Sequence, residues 1–139
     1  MKLATILLGL LVMVTKVEVS PAADQSICNP GSAISYYPTG QLRSCLLRDM
    51  YFVNGVKCNH LAPIDFYQPG MLKSCVSADF FTYEGIRCNE LSEISFYPSG
   101  KLEACKLSTQ VQIGDTVCAE QETIHLFENG NLKSCGTPR

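Results

Sequence analysis

Apolar and polar residues alternate along this chain in short runs that return at a fixed interval. Ile34-Ser35-Tyr36-Tyr37 is followed by Ile64-Asp65-Phe66-Tyr67 and by Ile94-Ser95-Phe96-Tyr97, and Ile124 and Phe127 keep the register. The step from Ile34 to Ile64 is 30 positions; it recurs for Gly40, Gly70, Gly100 and Gly130 and for Leu42, Leu72, Leu102 and Leu132. β-branched and aromatic residues at period two predict a strand. Pro38-Thr39-Gly40 then predicts a three-residue hairpin loop, because its last residue must be left-handed and glycine takes that conformation without steric cost. A second strand follows over Gln41-Leu42-Arg43-Ser44-Cys45. With that loop Tyr36 falls opposite Leu42 and Ile34 opposite Ser44, so Ile34, Tyr36 and Leu42 share the core side. Tyr37 points the other way.

The second half of each unit keeps an apolar pair at i, i+2: Tyr51 and Val53, Phe81 and Tyr83, Val111 and Ile113. Asn54-Gly55 and Glu84-Gly85 then predict a tight turn, and Gly114-Asp115 shifts the glycine by one place. No segment beyond the start of the chain shows helical spacing with caps. The expectation is an all-β fold, an elongated array of stacked β-hairpin repeats with a 30-residue period, a single-layer meander. The units are 28–57, 58–87, 88–117 and a truncated fourth, 118–135.

Composition adds a compartment. Hydrophobic residues make up 46% and charged residues 17%, so the chain has the means to bury a core. Lys2 precedes an apolar run of 12 residues, Leu3 to Val14, and Ser20-Pro21-Ala22 resembles a cleavage site. Residues 1–22 therefore read as a signal peptide, since a membrane span needs about 20 apolar residues. The charged stretch from Thr15 to Val19 leaves an uncleaved anchor as the alternative. With the signal removed, no membrane span is expected in the mature chain, and the expected place is extracytoplasmic, secreted or periplasmic. A net charge of -2 with no basic cluster argues against a nucleic-acid partner.

Cysteines fall at 28, 58, 88 and 118 and at 45, 75, 105 and 135, both series in step with the repeat. Behind an export signal, eight regularly spaced cysteines point to a disulfide framework. Two patterns preserve the register. One joins Cys28–Cys45, Cys58–Cys75, Cys88–Cys105 and Cys118–Cys135. The other joins Cys45–Cys58, Cys75–Cys88 and Cys105–Cys118 and leaves Cys28 and Cys135 over. The first is favoured because it leaves nothing unpaired; each bridge would close a loop of about 16 residues and contribute ~3 kcal/mol in the chain-entropy picture. Alternating spacings of 17 and 13 positions offer neither a zinc-ligand pair nor Cys-x-x-Cys. No metal and no cofactor is expected.

No catalytic set stands out. His60 and His125 are not repeat equivalents, and the carboxylates Asp49, Asp65, Asp79, Glu84, Glu93 and Glu103 are scattered. Tyr37, Tyr67, Tyr97 and Phe127 would form a ladder on the face away from the core. That ladder either covers the neighbouring unit or presents rings to a partner.

The string Ile-x-Phe-Tyr-Pro-x-Gly-x-Leu at Ile94 to Leu102, with its echo from Ile34 to Leu42, resembles the units of the MORN-repeat-variant family, which includes the YwqK-like antitoxin proteins. The resemblance implies an elongated array of hairpins used as an interaction scaffold and brings no catalytic residues with it. The regular cysteines and the export signal depart from that family. The expected function is a non-catalytic extracytoplasmic interaction or structural protein, its partner an unidentified protein or an envelope polymer. The alternative is a secreted enzyme or enzyme inhibitor with its site near Gly114–Glu122, where the third copy breaks the pattern.

Overall fold

The computed structural model describes residues 23–139. The residues read as a signal peptide lie outside that range. At its start a single 3₁₀ turn, Gln25–Ile27, is capped by Asp24, whose carboxylate accepts the Ser26 N–H at 2.7 Å. Everything regular after it is β.

Each unit contributes one hairpin to a common sheet. These are β1 (Ser35–Tyr36) with β2 (Leu42–Leu46), β5 (Pro63–Phe66) with β6 (Leu72–Val76), β9 (Glu93–Phe96) with β10 (Leu102–Lys106), and β13 (Thr123–Leu126) with β14 (Leu132–Cys135). Consecutive hairpins pair edge to edge, so the eight strands form one antiparallel meander in the order β1-β2-β5-β6-β9-β10-β13-β14. The loops supply shorter hairpins: β3 (Tyr51–Val53) with β4 (Val56–Cys58), β7 (Phe81–Tyr83) with β8 (Ile86–Cys88), and β11 (Val111–Ile113) with β12 (Thr116–Cys118).

The predicted turns form. The Gly40 N–H bonds the Tyr37 carbonyl at 2.8 Å, and Gly40 is left-handed at φ 86°. The register beyond the turn differs from the expected one. Tyr36 does face Leu42, but Ser44 faces Ser35 rather than Ile34, because Arg43 is an extra residue in β2. The second copy repeats the arrangement: Phe66 faces Leu72, Asp65 faces Ser74 and Ile64 faces Cys75, with Lys73 left over. Such a bulge moves one residue out of the alternation. Without it the serine would point to the core and the cysteine to solvent. With it, Cys45, Ile64, Cys75, Ile94, Cys105, Ile124 and Cys135 are successive neighbours across seven strands, all on the inner face.

The short hairpins fold against this inner face. Tyr51 meets Phe66 edge-on with ring centroids 6.5 Å apart, and Phe81 meets Phe96 the same way at 5.8 Å. Val56 and Ile86 are buried between them. All four disulfides follow the favoured pattern: Cys28–Cys45, Cys58–Cys75, Cys88–Cys105 and Cys118–Cys135. Cys58 lies in β4 and Cys75 in β6, with Cα atoms 5.7 Å apart, so the bridge ties hairpin to sheet across the core. Leu47 and Leu107 fill equivalent positions at 0% exposure. Ser77 stands at the same place in the second unit, and its hydroxyl is satisfied by the Asp79 carbonyl at 2.5 Å. The aromatic expected at the core position is exposed only in the first copy: Tyr36 is 46% exposed, with no hairpin before it among the described residues, while Phe66 and Phe96 are buried.

Removing a buried leucine from so thin a core leaves a cavity that little can fill. Leu107→Ala is expected to cost about 2–5 kcal/mol, read as a shift in the urea midpoint with the disulfides intact.

Candidate functional site

Alternation that sends isoleucine and cysteine inward sends their neighbours outward. Ser35, Ser44, Asp65, Ser74, Ser95, Ala104, His125 and Ser134 are paired in succession across all eight strands. They form one continuous row on the outer face. Beside it run the bulge residues Arg43, Lys73, Glu103 and Lys133, and beyond these the aromatic series.

The aromatic ladder joins one unit to the next. The Tyr37 hydroxyl donates to the Phe66 carbonyl at 2.7 Å, Tyr67 to Phe96 at 2.8 Å and Tyr97 to Leu126 at 2.7 Å. Each tyrosine thus reaches a carbonyl in the neighbouring hairpin, 29 residues on. The fourth member is Phe127, which has no hydroxyl with which to make such a bond. Its ring is 48% exposed. The bulge places a cation over three of the four rings: Arg43 at 5.7 Å from the Tyr37 centroid, Lys73 at 5.8 Å from Tyr67 and Lys133 at 5.8 Å from Phe127. Glu103 occupies the bulge of the third unit. Burial raises the Tyr67 pKa above its ordinary 10.0, and the charge of Glu103 adds to the shift, followed by the neighbouring tyrosines.

Over the last three hairpins the outer row runs through an open hollow of about 640 Å³. Ser74, Ser95 and Ala104 lie along its floor, with Lys73, Glu93, Glu103, Lys106 and His125 around them. None of these charged groups is in an ion pair: the two ion pairs among the described residues, Arg48–Asp49 and Lys57–Asp79, lie elsewhere. Serines that face the loops bond backbone carbonyls, as Ser77, Ser92 and Ser108 do. Ser74 and Ser95 make no such bond among the described residues and are half-buried on the outer face. Two lysines and two glutamates balance the hollow's charge.

The remaining sequence candidates fall elsewhere. All eight cysteines are bridged, and among the described residues no group of three His, Cys, Asp or Glu side chains converges as metal ligands would. His60 is exposed in a loop, and His125 lies in the hollow. The irregular stretch Gly114–Glu122 keeps the hairpin register of the other copies: Val111 faces Cys118 just as Tyr51 faces Cys58. Its departure is one of turn chemistry. Asn54 and Gly55 are both left-handed, at φ 51° and 78°, whereas in the third copy Gly114, at φ 59°, takes the left-handed place alone. The outer row was not singled out as a site from the sequence, although Ser44, Ser74, Ala104 and Ser134 recur at the repeat period. The bulge hid it by shifting the face on which those residues emerge.

Comparison with protein-family models, with curated proteins and with solved structures finds no match to this chain.

The tyrosine clamp predicts an asymmetry along the array. Tyr97→Phe removes an inter-unit hydrogen bond and is expected to cost about 1 kcal/mol, while Phe127→Tyr changes stability by less than about 0.5 kcal/mol; denaturant titration compares them. Tyr67 supplies a pH dependence. Its neutral form is favoured in the fold, so its contribution is complete below pH ~10 and is lost as pH rises through the higher folded value. The phenolate absorbance missing in Tyr67→Phe should titrate above the ordinary tyrosine range of about 10.

Proposed function

We propose that this chain is a non-catalytic interaction or structural repeat protein that works outside the cytoplasm. Four disulfides suit an oxidising compartment, because cytosolic thiols are kept reduced. The signal-peptide reading of residues 1–22 and the likeness of Ile94–Leu102 to the MORN-repeat-variant units belong to the same proposal. Among the described residues no helix is long and apolar enough to cross a membrane.

One observation carries the reading. The inner face is packed with apolar side chains along the whole array, while the outer face presents a continuous row of small and polar side chains. The bridges hold each hairpin to the sheet, so the outer face is presented on a backbone with little freedom to rearrange. Such a face can engage a partner without the ordering cost that weakens flexible binders.

Ser44→Arg and Ser74→Arg place bulk on the outer row without touching the core. In capture experiments from the medium or the envelope fraction, both variants should lose the partners that the wild-type chain retains, with unchanged melting. Phe52→Ser, on an exposed part of a short hairpin, should retain them. Equal capture by all four proteins would refute the assignment of the outer face.

A further inference from the structure

We propose that the hollow on the outer face binds an uncharged β-1,4-linked glycan, laid across the strands along the row from Ser74 to His125. This rests on the reading of the outer face as an interaction surface and names the chemistry it takes.

Four features lead to that ligand. The first is the supply of hydrogen-bonding groups. Ser74, Ser95, Glu93, Glu103 and Lys106 bring donors and acceptors of both kinds, and sugar hydroxyls are matched by just such a mixture. The second is charge. Lys73 and Lys106 are balanced by Glu93 and Glu103, so neither a polyanion nor a polycation gains net attraction along the hollow, while a neutral polymer loses nothing.

Shape and period supply the other two. The row continues beyond the hollow to Ser44 on one side and Ser134 on the other, so a ligand can run on past both ends, as a polymer does and a small molecule need not. Each hairpin advances the row by two strand spacings of about 4.8 Å, roughly 10 Å in all. An extended β-1,4-linked glycan repeats every two sugars over nearly the same length. The row therefore advances by one hairpin for each disaccharide, with different side chains at each step: Ser74 and Ser95 on its polar floor, Ala104 beside them.

The test is titration calorimetry of the disulfide-bonded chain with chitohexaose and cellohexaose, against maltohexaose as the α-linked control and heparin as the acidic one. Saturable binding of a β-linked hexaose, with neither control binding, is the expected result. Ala104→Arg, which fills the floor of the hollow, and the milder Ser95→Gln should each weaken it by ~tenfold or more, with melting unchanged. Absence of binding to both β-linked hexaoses, or unaltered binding in both variants, overturns the assignment. Digesting the extract with β-glycanases separates this proposal from the broader one. Capture that needs the outer face yet survives digestion leaves the interaction reading standing and sinks the glycan. Capture that no longer needs the outer face sinks both.

Discussion

The disulfide that crosses from a short hairpin to the sheet is the constraint on which the rest depends. A hairpin such as Tyr51–Cys58 has too little apolar surface to stay folded alone. Tied through Cys58 to Cys75, it is held against Phe66 and Ile64, and the thin space between becomes a core. Each bridge spans a separation of 17 residues, which corresponds to ~3 kcal/mol of restricted unfolded-chain freedom. The core of the second unit is then built from only Ile64, Phe66, Leu72 and Ile86 beside its two cysteines. Repetition does what depth does in a larger domain.

Neighbouring units are joined by different means. Strand pairing runs unbroken from β1 to β14, and each tyrosine hydroxyl reaches one hairpin ahead to a carbonyl. This coupling is directional, so the two ends of the array are not equivalent. At the start, β1 has two residues and the Tyr36 hydroxyl turns back to Gln25. At the end, Phe127 has no hydroxyl, and Pro138 stands where Ala78 and Ser108 donate backbone N–H bonds in the earlier units. A short strand at one edge and a proline beyond the other limit the pairing of further chains.

The same economy shapes the outer face. Disulfides, isoleucines and leucines concentrate on the inner side, and the clamp is made at the margin by aromatic residues. The middle of the outer sheet is left with serine, alanine, aspartate and histidine, none of which the fold needs for packing. Because the hairpin is the repeating unit, whatever chemistry this face offers is offered at the hairpin spacing. The bulge contributes here as well: it places Arg43, Lys73, Glu103 and Lys133 beside the row, three of them over aromatic rings.

Much of this is written in one dimension. The period, the hairpins and the glycine turns all follow from which residues recur every 30 positions, because strand alternation and turn chemistry are local. The cysteine spacing alone admitted two pairings, since each cysteine has a neighbour on either side. Folding chose between them by bringing β4 onto β6. Nor was the bulge legible, because a strand with one extra residue has the same composition as one without it. That residue reverses the alternation, turning Cys45 and Cys75 inward and Ser44 and Ser74 outward. Recurrence along the chain defines the unit and its rhythm. Which side of the sheet each serine faces emerges only on folding, because it depends on how opposite strands align.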